Sequence, residues 1–390
     1  MRIALTDQEQ ELQDRATEYF SSAMTEDERA AMTQDFYGPQ IKDIARRLGR
    51  DGWLGLGWPT EHGGRALGPM ADQIVISTSF RYEVPYPLIT VYSIGPALMA
   101  FGSEELKADF LPRILSGDVQ FSVGYSEPGS GTDLASLRTR AVRDGDDYVV
   151  NGTKMWTSGA HTSDYLFLAV RTNPEEPRHR GISLLLLDTK LPGVSMTPMR
   201  LLNRSRQVNV VNLDNVRIPA RMLVGEENKG WRVITNQLNS ERFTVGPSGK
   251  IDAHLDRVRA WAQTAQTADG RPVRDIAEVR RLIGRLQAAE VTNRMMNWRV
   301  VGDAAGGSVP PADAAATKLY NSEQLCEFGQ LIGEVVGRVG DPSDKATRHL
   351  LDETYFSYTH ELRLPVGGGV SEIQREFLAT LGLGLPKVIR

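Results

Sequence analysis

The carboxylate with the most chemical promise sits in "GWRVITNQLNSERFTVG", residues 230–246. Trp231, Ile234, Leu238 and Val245 are spaced three, four and seven residues apart, which draws one apolar stripe down a helix. Glu241 falls inside the same arc, with Arg242 at its edge. Desolvating a carboxylate in such a stripe raises its proton affinity toward what a general base needs. The same two residues also read as a solvated, ion-paired rim, and residue types alone leave both readings open. Two further stretches suit a flat or anionic ligand. "VGYSEPGSGTDLAS", 123–136, offers backbone N–H groups and the hydroxyls of Ser126, Ser130 and Thr132 to a phosphate or a polar ring edge. It reads equally as an ordinary surface turn. "GTKMWTSGA", 152–160, sets Trp156 ahead of Thr157 and Ser158, an aromatic face with hydroxyls beside it. Such a group stacks on a heteroaromatic ring, or fills a core gap at a strand end.

Other chemistries lack their residues. The 6 histidines form no HxxxH pair and Cys326 is the only cysteine, so no zinc site is expected. No Walker loop, no GxGxxG after a strand and no GxSxG elbow is found.

The elements that must carry these stretches change character along the chain. Thr6 and Glu9 make a capping-box pattern ahead of a helical run, and "GPQIKDIARRLGRDGW" repeats the helical spacing through Ile41, Ile44 and Leu48, with Gly49 near the stop. Helical texture continues to about residue 116. In "DYVVNGTKMW" the Asn151-Gly152 pair predicts a hairpin turn, and "DYLFLAVRT" and "GISLLLLDTK" predict buried strands. After Gly230 helical periodicity returns, broken by Pro/Gly links at 269–272, 306–311 and 340–342. The expected domains are helical 1–118, β 119–228 and helical 229–390. With 390 residues, 41% hydrophobic and 24% charged, the chain can bury a large core. A net charge of −4 argues against bulk attraction to nucleic acid or anionic membrane. The single cysteine and the charged N-terminus predict a soluble cytoplasmic protein.

Taken in order, "YSEPGSGTDLAS", "GTKMWTSGA", "NKGWRVITNQLNSER" and "VSEIQREF" resemble the acyl-CoA dehydrogenase family over almost the whole chain. The resemblance implies that fold: an N-terminal helical domain, a middle β-barrel or β-sandwich domain and a C-terminal helical bundle. It implies FAD between the β domain and the C-terminal helices, with an acyl-CoA substrate against the flavin. The reaction implied is α,β-dehydrogenation, with an electron-transfer flavoprotein-like acceptor. By position, Tyr125 and Ser126 would meet the flavin edge or the thioester region. Gly131 and Thr132 would lie along the flavin and substrate path. Trp156 and Ser158 would sit beside the isoalloxazine.

Many family members carry the base in the loop before "SEIQ". Here that position is Gly368, after Gly367, in "PVGGGV". Other members carry it on the first long helix of the third domain, just before an arginine, which here is Glu241 followed by Arg242. Glu241 is therefore the expected base, with Arg242, Gly367 and Gly368 on the substrate side. The triple glycine also reads as a flexible turn before a helix that Ser371 caps, with Gln374 in the reciprocal position. The two segments that lend flavin contacts to a neighbouring subunit read "DGRPVRDIAEVR" and "QLIGEVVGRVG", with Glu334 where a glycine is usual. That departure resembles the heteromeric α2β2 members that act on steroid side chains, and it implies a second dehydrogenase-like chain as partner, with a homotetramer as the alternative. A flavin oxidase or monooxygenase on the same fold, or a non-catalytic subunit completing a partner's site, are the competing expectations.

Overall fold

A computed structural model describes residues 4–203, 205–244, 246–305 and 310–387; the side chains of 34, 239–244 and 304–305 lie outside that description. Helices α1 (Asp7–Ser22), α2 (Glu26–Gln34), α3 (Gln40–Arg50), α4 (Pro69–Arg81), α5 (Gly95–Phe101) and α6 (Glu104–Leu115) come first. Strands β1 (Phe121–Gly124), β2 (Arg140–Asp144), β3 (Asp147–Ser158), β4 (Tyr165–Arg171), β5 (Ile182–Asp188), β6 (Val194–Met199), β7 (Val208–Pro219) and β8 (Leu223–Val224) follow. Helices α7 (Gly230–Thr244), α8 (Gly249–Thr264), α9 (Ala277–Ala305), α10 (Pro311–Val339), α11 (Lys345–Glu361) and α12 (Ser371–Phe377) complete the chain. The order is helices, sheet, helices. No helix among the described residues is long and apolar enough to cross a membrane.

Two compact units emerge: one of Met1–Ala23, Pro69–Val84 and Arg242–Arg390, the other of Met24–Gly68 and Pro85–Glu241. In the first, Ile251, Leu255 and Trp261 of α8 share a dry core with Leu286 of α9 and Phe328 and Ile332 of α10. The Trp261 indole N–H donates to Thr347 Oγ1 at 3.0 Å, so this side chain's one polar group is satisfied within the core. The Thr6–Glu9 capping box forms in full at the start of α1. In α3, Ile44, Ala45 and Leu48 are buried. Gly49 stands one residue before the end of that helix, near the stop as expected, and a Cβ there would come within 2.4 Å of the Ser116 backbone.

The second unit is built on an eight-stranded sheet in the order β6-β7-β3-β2-β4-β5-β8, with β1 also on β4. β1 pairs with residues 165–168 of β4, and Arg140 of β2 pairs with Arg171 further along the same strand, both in parallel. The two strands lie in line on one edge of β4, so residues 125–139 form an excursion between them.

The expected Asn151-Gly152 hairpin is not there. Residues 147–158 form one strand, paired with β7 from Asp147↔Pro219 to Ser158↔Val208. The tight turn lies at Gly145-Asp146, between the partners Asp144 and Asp147, and Gly145 takes the left-handed φ of 61°. Gly152 is required for another reason: a Cβ there would lie 2.6 Å from Thr139 Oγ1. It sits at a register shift between Val150 and Gly152. A bulge and a turn demand the same local residues, and pairing with a distant strand decides between them.

Candidate active site

The loop at 125–139 is tied down by one buried ion pair. Glu127 Oε2 accepts from the Arg138 amide at 2.7 Å, and Oε1 accepts from the Thr139 amide at 2.8 Å. One carboxylate thus clamps the loop's entry to its exit. Lys154, fully buried on β3, donates to Glu127 Oε1 at 2.8 Å and to the Tyr125 carbonyl at 3.1 Å. Burial is the largest influence on both groups. It pushes the Lys154 ammonium down to about 8 against the pull of Glu127. On Glu127 burial works against ionisation, yet Lys154 and the two amides together hold its carboxyl below the usual range. The pair is ionised at neutral pH. Ser126 uses its carbonyl to accept from the Met155 amide at 2.8 Å, which lays the loop on β3.

That contact lies at a second register shift of β3, between Lys154 and Thr157. There Trp156 takes a φ of 62° and leaves its indole 56% exposed. A bulky residue in left-handed backbone costs about 1–3 kcal/mol, and here burial returns little of it. Beside it Thr157 Oγ1 is buried without a hydrogen-bond partner among the described residues, while its carbonyl accepts from Asn209 Nδ2 at 3.0 Å. The Ser158 carbonyl accepts from Ser122 Oγ at 2.6 Å, so its backbone is fixed and its half-buried hydroxyl stays available. Gly131 and Thr132 stand exposed on the loop, and a Cβ at Gly131 would meet nothing within 4 Å. The six residues expected beside a flavin therefore lie on one loop and one bulged strand bonded to each other. The core-filling reading of Trp156 is excluded by its exposure.

On α7 the buried face is Val233, Ile234 and Gln237, with Trp231 and Leu238 only partly covered. The stripe is thus rotated by about one position from the expected one and includes a polar residue. Gln237 is accommodated by donating Nε2 to Ser93 Oγ. Glu241 stands four residues after Gln237 and seven after Ile234 on the same helix. The Glu241 and Arg242 side chains, and Val245, lie outside the described residues.

In the helical unit, Gly368 and Gly369 take left-handed φ values of 66° and 93°. Gly367 is exposed and Gly368 half-buried. Ser371 does not cap α12: the N-cap is Val370, without a side-chain bond. Gln374 instead turns back and donates to the carbonyls of Gly368 and Gly369 at 3.4 and 3.2 Å. The left-handed glycines aim those carbonyls at the helix, so an amide donor serves the loop better than a hydroxyl cap would.

The two segments of the sequence associated with a neighbouring subunit meet in this unit. Arg338 of the second pairs with Glu278 of the first. Between them runs an open groove of about 450 Å³ lined by Asp269, Arg271, Gly337 and Arg338. Glu334 is exposed on α10 and accepts from Gln330 Nε2 at 2.8 Å.

Comparison with known proteins bears on this geometry directly. Family profiles described as the acyl-CoA dehydrogenase N-terminal, middle and C-terminal domains match residues 6–118, 122–216 and 228–382. The chain belongs to the acyl-CoA dehydrogenase family. It is 45% identical to acyl-CoA dehydrogenase FadE29 of Mycobacterium tuberculosis over 390 residues, covering 100% of both chains. It is 40% identical to acyl-CoA dehydrogenase FadE26 of the same organism, again over 100% of both. Among solved structures it is similar to the ChsE4-ChsE5 complex from Mycobacterium tuberculosis (40% identity, TM-score 0.89, 100% of both chains). It is also similar to the Tcur3481-Tcur3483 steroid ACAD (37% identity, TM-score 0.91, 100% of both chains). The chain is thus an acyl-CoA dehydrogenase, an oxidoreductase of a typically FAD-dependent family.

Sequence reading passed over Glu127 and Lys154 as functional residues. The signal was present: a Glu inside a Gly/Ser loop and a Lys inside a strand, each short of an obvious partner nearby in sequence.

Proposed function

We propose that the chain catalyses FAD-dependent α,β-dehydrogenation of a bulky acyl-CoA thioester, of the steroid side-chain type, to the trans-2-enoyl-CoA. Glu241 is the base that removes the α-proton. The observation that carries the reading is Trp156: an exposed indole held in left-handed backbone by a bulged strand, beside a loop locked by a buried ion pair. Strain of this kind persists where the surroundings enforce it, and it points to a ligand for the exposed face. The residues fit a flavin. Trp156 supplies a stacking face, Ser158 a hydroxyl, Tyr125 and Ser126 the adjoining loop, and Gly131 and Thr132 an open path along it. Bound FAD would supply the acceptor for the β-hydride.

The chain's own part is to orient and to move one proton. The Glu127–Lys154 clamp holds the 125–139 loop so that its N–H and hydroxyl groups keep fixed positions. Glu241 takes the α-proton onto its carboxylate, with Arg242 next to it in the chain. Gly367 and Gly368 leave space at the acyl end of the substrate. The assigned domains are 1–118, 119–228 and 229–390, close to the spans of the three family matches.

The partner we assign is a second dehydrogenase-like chain in an α2β2 assembly, reoxidised by an electron-transfer flavoprotein-like acceptor in the cytoplasm. Support comes from similar chains solved as the ChsE4-ChsE5 complex and as Tcur3481-Tcur3483. The groove beside Gly337 adds to it: Arg271 and Arg338 there are engaged with Asp269 and Glu278 of their own chain.

The test is flavin content of the chain purified alone and co-expressed with a candidate partner. Flavin only in the co-expressed complex is expected. Stoichiometric FAD on the chain alone would replace the heteromer with a homo-oligomer, and hydrogen peroxide formed in step with turnover would make the enzyme an oxidase. Replacing Glu241 with Gln is expected to keep flavin and to lower turnover by about 10²-fold or more. A near-normal rate would remove Glu241 from the mechanism.

A further inference from the structure

Lys318 sits on α10 in the run "AAATKLY" and is fully buried. Its ammonium donates to the Gly369 carbonyl at 2.8 Å and to the Pro365 carbonyl at 3.4 Å. No carboxylate lies within ion-pair distance of it among the described residues. Glu323, on the same helix, is engaged with Arg375 at 2.7 Å. A buried cation held only by carbonyls is costly to desolvate. What it holds is the triple-glycine loop.

Gly367 and its neighbours have no side chains of their own to fix the loop, and each glycine adds backbone freedom that folding must remove. Hydrogen bonds remove it here: Lys318 to the Gly369 and Pro365 carbonyls, Gln374 to the Gly368 and Gly369 carbonyls, the Ser371 amide to the Pro365 carbonyl at 2.8 Å, and the Gly367 amide to the Arg363 carbonyl at 2.9 Å. Lys318 touches both ends of the segment, since Pro365 precedes the glycines and Gly369 closes them. It spans the loop as a brace.

We propose that Lys318 is a positioning residue that fixes the triple-glycine loop as a rigid wall and thereby sets which acyl groups the enzyme accepts. This rests on the proposed reading that Gly367 and Gly368 border the acyl end of the substrate. The glycines supply room, and the lysine keeps that room open and of constant shape. A loop of this composition without the brace would sample positions that close over a bulky acyl group while still admitting a short one.

The experiment uses the co-expressed holo complex and two variants, Lys318→Met and the milder Gln374→Met, which removes the second tether and leaves the lysine. Amide hydrogen exchange over 366–371 reads the brace without substrate. KM and kcat for isobutyryl-CoA and for a steroid side-chain CoA thioester read its consequence. Exchange in Lys318→Met is expected to rise by about 10-fold or more, as for a segment released to local opening. KM for the bulky thioester should rise by about 10-fold, with kcat and the isobutyryl-CoA constants changed by less than about 3-fold, the pattern of lost ground-state positioning. Gln374→Met should move both readouts the same way by less. Unchanged exchange in both variants would overturn the brace. Raised exchange with both thioesters affected alike would overturn the selectivity role. A wild-type complex that turns over neither thioester, with exchange still raised in Lys318→Met, would overturn the proposed function and the selectivity built on it while the brace itself stands.

Discussion

Two loops are each held by one buried lysine, and the lysines are held differently. Lys154 faces a carboxylate that is itself bonded to two backbone amides. Lys318 faces only carbonyl oxygens. Burial pushes both ammonium groups down to about 8. For Lys154 only Glu127 opposes that, through direct contact; for Lys318 the opposition comes through space from Glu323, Glu372 and Cys326. The 125–139 loop is therefore locked by opposite charges that cannot separate cheaply in a dry interior, and the 362–370 loop is braced by ion–dipole bonds that can be exchanged one at a time. The first arrangement suits a platform for a rigid planar ring. The second suits a wall that must fit a substrate of a particular size.

The largest effect expected to test this contrast is Lys154→Met. It strands the Glu127 carboxylate in the core, and breaking a buried pair from one side costs about 3–5 kcal/mol. Chemical unfolding of the variant, alone and with Glu127→Gln added, should show the double variant recovering part of the loss. If the single variant unfolds like the parent, Glu127 and Lys154 do not lock the 125–139 loop.

Lys318→Met should cost less, about 1–2 kcal/mol, because it removes charge-assisted bonds to two carbonyls that keep Gln374 and the Ser371 amide as donors, and it strands no charge. The cost has a pH signature. Lys318 gives up its proton near 8 in the fold but near 10.5 when exposed, so between those values the unfolded chain binds more protons and wild-type stability gains as pH rises. The variant lacks this group. The stability gap between parent and Lys318→Met should widen from pH 8 to pH 10 and stay level below pH 7. Urea midpoints at those values decide it, and a gap that narrows would contradict the burial of a charged lysine.

The smallest effect on stability is expected at Trp156. Trp156→Gly removes an exposed ring and relieves left-handed strain while adding backbone freedom, so unfolding should shift by no more than about 1 kcal/mol. Flavin retention, measured by absorbance after gel filtration, should nevertheless fall sharply. A variant that keeps its flavin would show that the indole is not the stacking face.

Sequence alone determined the layering, because helical and strand periodicities differ and each of the three blocks keeps one of them. It also reached the Thr6–Glu9 cap and the buried strands β4 and β5, features set by residues adjacent in the chain. Tertiary structure decided what those local patterns become. Asn151-Gly152 became a bulge because β7 runs alongside the whole of β3. Ser371 lost its cap to Val370 because Gln374 was drawn to the carbonyls of Gly368 and Gly369. The exposure of Trp156 followed from a register shift that no local residue announces. Glu127 with Lys154, 27 residues apart, and Lys318 with Gly369, 51 apart, could be matched only in space. A buried charge is specified by the partner that compensates it, and the chain does not say which distant residue that will be until it has folded.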